Sequence, residues 1–432
     1  MICRKSATGT GRPIRHRLRV KILVLNGGSS SFKCWFCDLP DSELPADPPT
    51  PDWTARAGWS RNTGIAQIKI RRSDGAQVAR DLKVAEPAAV LEPVIRALWE
   101  GDAACVADAS VIDAVGHRIV HGGPEYREST PLRPEVRAAI EREVEVAPAH
   151  NHFELEAVEA VDRVVGGGVL QVAVFDTGFH RTLEPRAYVY PGPHEWLERG
   201  VRRYGFHGIN HQYASRRAAH LLQRDPQSLK VIVCHLGNGA SLAAVRNGIS
   251  VDTTMGFTPL EGLMMGSRSG SIDPGILIYL VRHRGYSAEQ LDEILNQQSG
   301  LLGVSGVSSD MREVLEASEK GNERAKLAFD VYLHRITREI GSMLAVLGGV
   351  DALVFTGGIG ENSAAVREAA CARFEFLGLE LDTVRNREAK SDQDITASGS
   401  RVRVLVIRAQ EEWEIARECH RLASGRLSRL PR

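Results

Sequence analysis

No apolar run in this 432-residue sequence approaches the roughly 20 residues that a membrane-spanning helix needs. Nothing in it therefore reads as a transmembrane segment. An excess of one charge is missing too. Fifty-four Lys and Arg offset 54 Asp and Glu, so nothing points to nucleic acid or an anionic membrane as a partner. Cysteine is sparse: seven residues, an odd number, lack the spacing of a disulfide framework, which fits a reducing cytoplasm. Cys34 and Cys37 form a C-x-x-C, but in a strand-like run (Phe32 to Leu39) rather than at a helix start. No second Cys or His pair completes a zinc site. No G-x-x-x-x-G-K-[ST] segment occurs, so a Walker-type phosphate loop is excluded. The first 20 residues hold six Lys and Arg, but no hydrophobic segment follows them as a secretory signal requires. Residues 1–19 are expected to be a disordered basic extension; an organelle transit peptide has a similar composition.

What the chain does have is glycine, 41 residues of it, several paired after apolar runs. That distribution suits an α/β enzyme with backbone-lined ligand loops, and the length allows two domains with substantial cores. Lys21 to Asn26 (KILVLN) reads as a strand, followed by the turn Gly27-Gly28-Ser29-Ser30-Ser31 and a second strand over Phe32 to Asp38. Lys230 to Leu236, Gly237 to Ser241 and Leu242 to Arg246 repeat that order. Two such hairpins predict a duplicated α/β unit with a ligand between the halves. Residues 40–64 read as an irregular loop. Strands are expected at Ile65–Arg71, Val111–Val120, Leu170–Phe175, Asp351–Phe355 and Val402–Ile407. Helices are expected at Pro87–Trp99, Pro134–Val146, His152–Val165, Glu323–Leu347 and Glu411–Leu422. On the long helix, Phe329, Leu333, Ile336, Ile340, Met343 and Leu347 share one face.

The segment from His235 to Gly275 is the richest in chemistry. Its small residues let backbone approach a ligand, and successive free N–H groups in such turns hold anions. Arg268 lies among serines and glycines, where a guanidinium can reach a phosphate or carboxylate through two parallel bonds. NGGSSSFK offers further donors and Lys33, or else is a polar hairpin tip. Thr356 to Asn362 (TGGIGEN) is a strand, glycine turn and helix, suited to a nucleotide over a helix N-terminus or to a plain tight turn. Arg118 ends a strand in GHRIVHGG. Asp176 stands at the C-terminal end of a buried strand, where open α/β sheets place their sites; a helix cap is the other reading. His207 in RRYGFHG and His150 in APAHN are ligand candidates or core histidines. Glu411 and Glu412 open a helix and could reach Mg²⁺ through water. Together these are the parts that phosphoryl transfer uses, because its catalysis is positioning and charge neutralisation.

The ordered series NGGSSSFK, GHRIVHGG, APAHN, FDTGFH, RRYGFHG, CHLGNGASL, DTTMGFTPLEGLMMGSRSGSIDPG, SGLLGVSG, FTGGIGEN and EEWEIAR resembles the acetate kinase family over about residues 20–422. That family includes propionate and butyrate kinases and shares the duplicated, ribonuclease H-like fold of actin, hexokinase and the Hsp70 ATPase. The resemblance implies an interdomain cleft. It implies an acyl-site domain of residues 20–177 plus 413–432 and a nucleotide-binding domain of residues 178–412. It also implies ATP and ADP as co-substrates, Mg²⁺ or Mn²⁺, acetate or another short-chain carboxylate as acceptor, and a cytoplasmic homodimer.

By motif match, Arg118 would bind the carboxylate in a pocket of Val120, Ala149, Phe206 and Pro259. Arg268 and His207 would stabilise the transferring group, and Asp176 would be the essential acidic residue near the metal, which Asn26 and Glu411 help place. The nucleotide would be lined by Lys33, by His235, Leu236, Gly237, Asn238 and Gly239, by Asp310, Met311 and Arg312, and by Gly358, Ile359, Gly360, Glu361 and Asn362. Three positions depart from the family pattern. Gly27 stands where alanine is usual, and Ala409-Gln410 where T-N is common. Ala149 stands where acetate kinases commonly have leucine, which opens the pocket toward propionate or longer acids. A different class of reading, a nucleotide-binding switch module without catalysis, has no use for Arg118, His207 and Arg268 together.

Overall fold

The computed structural model describes residues 19–28, 31–60, 64–84, 86–145 and 148–427. Most of the expected basic extension, residues 1–18, lies outside them. Arg19, assigned to that extension, is the first residue of a strand and pairs with Pro40.

Among the described residues, fourteen strands form two sheets. The first holds β1 (Arg19–Gly27), β2 (Ser31–Pro40), β3 (Trp53–Ser60), β4 (Ile65–Arg72), β5 (Gln77–Lys83), β6 (Ala114–Ile119), β7 (Thr130–Pro131) and β8 (Leu170–Phe175), in the order β5-β4-β3-β2-β1-β6-β8-β7. The second holds β9 (Lys230–Leu236), β10 (Ala240–Arg246), β11 (Ile249–Thr253), β12 (Ala352–Thr356), β13 (Gln393–Asp394) and β14 (Arg403–Val406), in the order β11-β10-β9-β12-β14-β13. In the first sheet β3, β2 and β1 run antiparallel, and β6 and β8 continue parallel to β1. In the second, β11, β10 and β9 are antiparallel, and β12 and β14 continue parallel to β9. This is one α/β unit used twice, as the two hairpins predict.

The expected loop over 40–64 is corrected by β3. Its inward positions, Trp53, Ala55 and Ala57, are buried and alternate with Thr54, Arg56 and Gly58. Alanine carries little strand signal, so the period is faint in the sequence. Pairing with β2 and β4 on both sides supplies the strand. Polar β5 was not anticipated either; it is the edge strand, where polarity is tolerated and guards against pairing with other chains. The region Pro87–Trp99 is not one helix: a 3₁₀ turn at Pro87–Val90 precedes a short helix, Leu91–Arg96. The long helix has the expected limits, Glu323–Leu347, but its buried row begins with Ala325, Ala328 and Tyr332. Phe329 and Leu333 flank that row half-buried.

The two sheets share a core. One cluster of buried side chains joins Val20, Ile22 and Trp35 of the first sheet to Val231, Val233 and Val354 of the second. Two helices make the join. Gly208–Leu221 contributes Tyr213 and Ala218, and the C-terminal helix, Glu411–Leu427, contributes Trp413, Ile415 and Cys419. Trp413 is 1% exposed and its ring lies 6.3 Å from that of Trp35. The N-terminus of the C-terminal helix is thereby fixed beside the first hairpin. Cys34 and Cys37 face opposite sides of β2 and join different clusters, so they form neither a redox pair nor half of a metal site.

Candidate active site

The parallel strands deliver the charged residues. Arg118 is the fifth residue of β6, and Asp176 follows β8, its N–H bonded to Ile119 O at 2.8 Å. Arg118 Nη2 donates to Asp176 Oδ2 (2.8 Å) and Nη1 to Gly27 O (3.0 Å). Burial lowers the Arg118 pKa, but Asp176, Glu411 and Glu154 more than offset it, and the net direction is upward. Asp176 Oδ2 also accepts from the His207 backbone N–H at 3.0 Å. Its other oxygen, Oδ1, is buried without a partner among the described residues.

His207 has φ +56, a left-handed conformation that costs a side-chain-bearing residue about 1 kcal/mol or more. The bond to Asp176 holds it there. The helix behind it can begin only with glycine, since a Cβ on Gly208 would lie 2.3 Å from Asp176 O. His207 Nδ1 meets Ser241 Oγ at 2.9 Å, and His211 Nε2 meets the same hydroxyl at 2.7 Å. One hydroxyl has one proton and two acceptor sites, so at most one ring accepts from it. His211 Nδ1 has no partner among the described residues. The ordering that leaves only an acceptor unpaired runs from His211 Nε2–H to Ser241, and from Ser241 O–H to His207 Nδ1. His207 then carries its proton on Nε2. That nitrogen is 3.3 Å from the point where a Cβ on Gly239 would sit, with Arg268 Nη1 3.6 Å from the same point. Burial first, then His235, His211, Arg118 and Arg268, hold the His207 pKa well below its ordinary value, so it is a neutral donor at pH 7.

Arg268 is unusual in what it lacks. Among the described residues it has no carboxylate partner, and its one side-chain hydrogen bond, to Pro259 O, is 3.5 Å long. Burial and the neighbouring Arg118 both lower its pKa. Two guanidiniums that repel each other across a cleft, one without a counter-ion, make an anion site.

On the other side of the cleft, Asn26 Nδ2 donates to Glu411 Oε2 (2.9 Å) and Glu412 Oε1 (3.0 Å), and Lys33 Nζ lies 3.4 Å from Glu412 Oε1. His235, at the end of β9, stacks on His207 with centroids 4.3 Å apart, and Asn210 Nδ2 donates to its Nδ1 at 2.7 Å. Gly357 has φ +79, and a Cβ there would meet Leu236 O at 2.8 Å, so strand β12 turns into the helix Gly357–Asn362 directly against β9. Glu361 Oε1 accepts from both Gly357 N and Ala409 N and ties that turn to the start of the C-terminal helix.

Not every candidate turns its side chain to this cleft. Leu236 and Met311 are buried in the core of the second unit. Asp310 caps the helix Met311–Glu319 and binds the exposed Arg312. Asn362 Nδ2 bonds back to Gly358 O. Val120 and Phe206 are buried together in one cluster. Ala149 and His150 lie on the helix Pro148–Val164, but their side chains fall outside the described part.

The sequence reading did not single out Asn210, His211 and Ser241, although all three lie in or beside quoted motifs. Helical spacing from His207 gave a usable signal for His211. Glu154 was also missed. It occupies an apolar position of its helix, three residues before Ala157 and four before Val158, and is 3% exposed. Its Oε2 accepts from Val120 N at 2.9 Å, and Oε1 has no partner among the described residues. Three residues earlier, Asn151 Nδ2 reaches His121 O and Ile140 O. Asn151 and Glu154 thus clamp this helix to the strand end that carries Arg118.

Burial raises the Glu154 pKa to about 8, against the pull of Arg118 and the Val120 N–H, with Asp176 adding to the rise. A carboxyl raised in the folded state stabilises below its unfolded value, and that contribution is lost as pH climbs toward 8. Glu154→Gln is therefore expected to flatten the fall in melting temperature between about pH 5 and 8. Parallel wild-type and variant curves across that range would contradict this account.

The family model described as the Acetokinase family matches residues 21–417. An acetate kinase of Cyanothece sp. is 53% identical over 403 residues, covering 93% of this chain and 98% of that protein. One of Nostoc punctiforme is 52% identical over 400 residues, with the same coverage. Among solved structures, Porphyromonas gingivalis acetate kinase superposes with a TM-score of 0.83 at 39% identity, covering 93% of this chain and 99% of that one. A propionate kinase from Francisella tularensis gives 0.83 at 35% identity, again over 93% and 99%.

Proposed function

The chain belongs to the acetokinase family, and from that premise we infer that it is an acetate kinase, transferring a phosphoryl group reversibly from ATP to acetate to give acetyl phosphate and ADP. One observation carries the reading into the cleft: the unpaired Arg268 guanidinium and the neutral His207 converge at Gly239, beside the Arg118–Asp176 pair.

The chemistry follows from charge. A carboxylate is already ionised at pH 7 and needs no strong base. The difficulty is to bring it against a polyphosphate. We propose that Arg118 holds the carboxylate in the pocket of Val120, Ala149, Phe206 and Pro259. Arg268 and the His207 Nε2–H then receive the charge on the transferring group. Lys33, His235 to Gly239, Asp310 to Arg312 and Gly358 to Asn362 line the nucleotide, Leu236 and Met311 through backbone alone. Asp176 fixes Arg118 and the His207 backbone and does not act as a base.

A divalent cation, Mg²⁺ or Mn²⁺, fits the donors present. Asp176 Oδ1 is a buried oxygen without a partner among the described residues, and Glu411, bonded to Asn26, acts with Asp176 on the same Arg118 charge. No group of three or more His, Cys, Asp or Glu gathers as a cage among the described residues. That suits Mg²⁺, which keeps waters and phosphate oxygens as ligands. Bound there, the ion would neutralise phosphate charge. We take residues 20–177 with 413–432 as the acyl-site domain and residues 178–412 as the nucleotide domain.

A cytoplasmic homodimer completes the reading. The six cysteines among the described residues are all free, and no helix among those residues is long and apolar enough to cross a membrane. The helix Pro274–Arg284 buries none of its residues, yet Ile276, Ile278, Tyr279 and Val281 are 45–54% exposed. These side chains lie all round the helix, and a helix exposed on every side that carries so many large apolar residues marks a contact surface. We expect the wild type to sediment at twice its 47.3 kDa chain mass, and Ile278→Asp with Val281→Asp to sediment as monomer. A wild-type monomer would remove the dimer from the proposal.

The deciding experiment is incubation with Mg-ATP, hydroxylamine and acetate, propionate or butyrate in turn, reading acyl hydroxamate. Acetate-dependent product supports the assignment. Ala149 gives a second reading, because one methylene is discriminated by only about 1–3 kcal/mol; faster product from propionate or butyrate would move the substrate to that acid. No product from any acid, with ATP bound, would leave the switch module.

A further inference from the structure

A row of cations crosses three neighbouring strands. Lys33 on β2 stands directly opposite Arg56 on β3, and Arg56 directly opposite Lys69 on β4. Directly paired residues of antiparallel strands point to the same face. Like charges so placed destabilise a sheet; Glu412 raises the Lys33 pKa, with burial and, more weakly, Arg56 opposing it. Arg71 lies two residues along β4 on that same face. Across the gap, Arg408 follows β14 of the second unit. These five cations line one groove of about 950 Å³, floored by Trp35, Thr54 and Trp413 and closed at one end by Pro48 to Pro51.

Compensation is scant. Glu412 and Glu361 are the groove's acidic side chains. Glu412 is engaged with Asn26 and Lys33, and Glu361 with the Gly357 and Ala409 N–H groups. Arg56, Lys69, Arg71 and Arg408 have no carboxylate within ion-pair distance among the described residues. Protection of a sheet edge does not account for the row, because β5, not β4, is the edge strand. With a net charge of zero over the chain, the concentration is local.

We propose that this groove binds a short oligophosphate chain beside the nucleotide, on Arg56, Lys69, Arg71 and Arg408, none of which the kinase reading uses, with Lys33 at the end that the two ligands share. Strands lie about 4.8 Å apart, so the row from Lys33 to Lys69 spans roughly 10 Å, a length that matches several linked phosphates better than a single anion. Arg408 supplies charge from the opposite wall, so a bound chain bridges the two halves of the molecule. At its inner end the groove meets His235, Gly358 and Glu361, which the kinase reading gives to the nucleotide, so the two sites are contiguous there.

The test is calorimetric titration of the full-length protein with inorganic triphosphate, in the presence and absence of saturating ADP, for wild type and for Arg56→Gln combined with Lys69→Gln. The expected result is one triphosphate site that persists with ADP bound and weakens at least tenfold in the variant, while the ADP affinity changes less than twofold. Far-ultraviolet circular dichroism of the variant checks that the exposed substitutions leave the fold intact. Loss of triphosphate binding when ADP is present would assign the chain to the nucleotide site and overturn the proposal. Binding unchanged in the variant would do the same. ADP titrated alone reports separately on the kinase reading, so failure of one is not mistaken for failure of the other.

Discussion

Arg268→Ala is expected to lower kcat by roughly 10³-fold or more, the scale seen when an arginine aimed at a transferring phosphoryl group is removed. The reason lies in how poorly Arg268 is satisfied in the structure described. Its guanidinium is largely desolvated, lacks a carboxylate, and faces another arginine. A cation kept so is costly to the fold. The cost is recovered only when negative charge fills the gap between Arg268 and Arg118, and that charge is greatest during transfer. The variant should therefore lose kcat far more than it raises the KM for ATP, and it should unfold no earlier than wild type. Lysine at this position should restore little, because a single ammonium cannot present two parallel donors. Steady-state rates with saturating acetate and Mg-ATP provide the measurement. Turnover within tenfold of wild type would take Arg268 out of the transferring site.

Asp176→Ala is expected to cost both activity and stability. The carboxylate pairs with Arg118 and holds the His207 N–H through one oxygen. Its removal leaves the Arg118 guanidinium, 12% exposed, without a hydrogen-bonded carboxylate. Breaking a buried pair from one side typically costs about 3–5 kcal/mol. His207 also loses the bond that keeps it in the left-handed conformation, so its ring shifts. A displacement of about 1 Å at such a group can lower the rate by about 10²-fold, and we expect at least that loss in kcat together with a lowered denaturation midpoint. The pairing of the two effects is the discriminating feature. An unchanged midpoint with activity within threefold would show that Arg118 and His207 are positioned by something else.

Much of the architecture was legible before any coordinates. The strand–turn–strand order at KILVLN-GGSSS-FKCWF and at KVIVCHL-GNGAS-LAAVR announced the duplication, because both strands are continuous apolar runs. Helix limits at Glu323 and Leu347 followed from a period sustained over 25 residues. Strand β3 was not legible, because two of its three inward positions are alanines that become strand only between two partners. Glu154 was hidden for a related reason. A carboxylate among apolar positions could be a lapse in the pattern or a buried acid, and only its contact with Val120 N distinguishes them.

The sequence by itself determined the repeated α/β unit, the glycine-lined turns, and the family to which Arg118, Asp176, His207 and Arg268 point. These are local properties, set by periodicity, by backbone freedom at glycine, and by residue chemistry. Only the tertiary structure decided that Arg268 has no carboxylate partner among the described residues, that His207 and His211 meet at the Ser241 hydroxyl, and that Lys33, Arg56 and Lys69 stand in a row. Each of these depends on groups from separate strands or helices meeting in space. Desolvation and pairing are fixed by what surrounds a side chain, and the chain's own order does not record its surroundings.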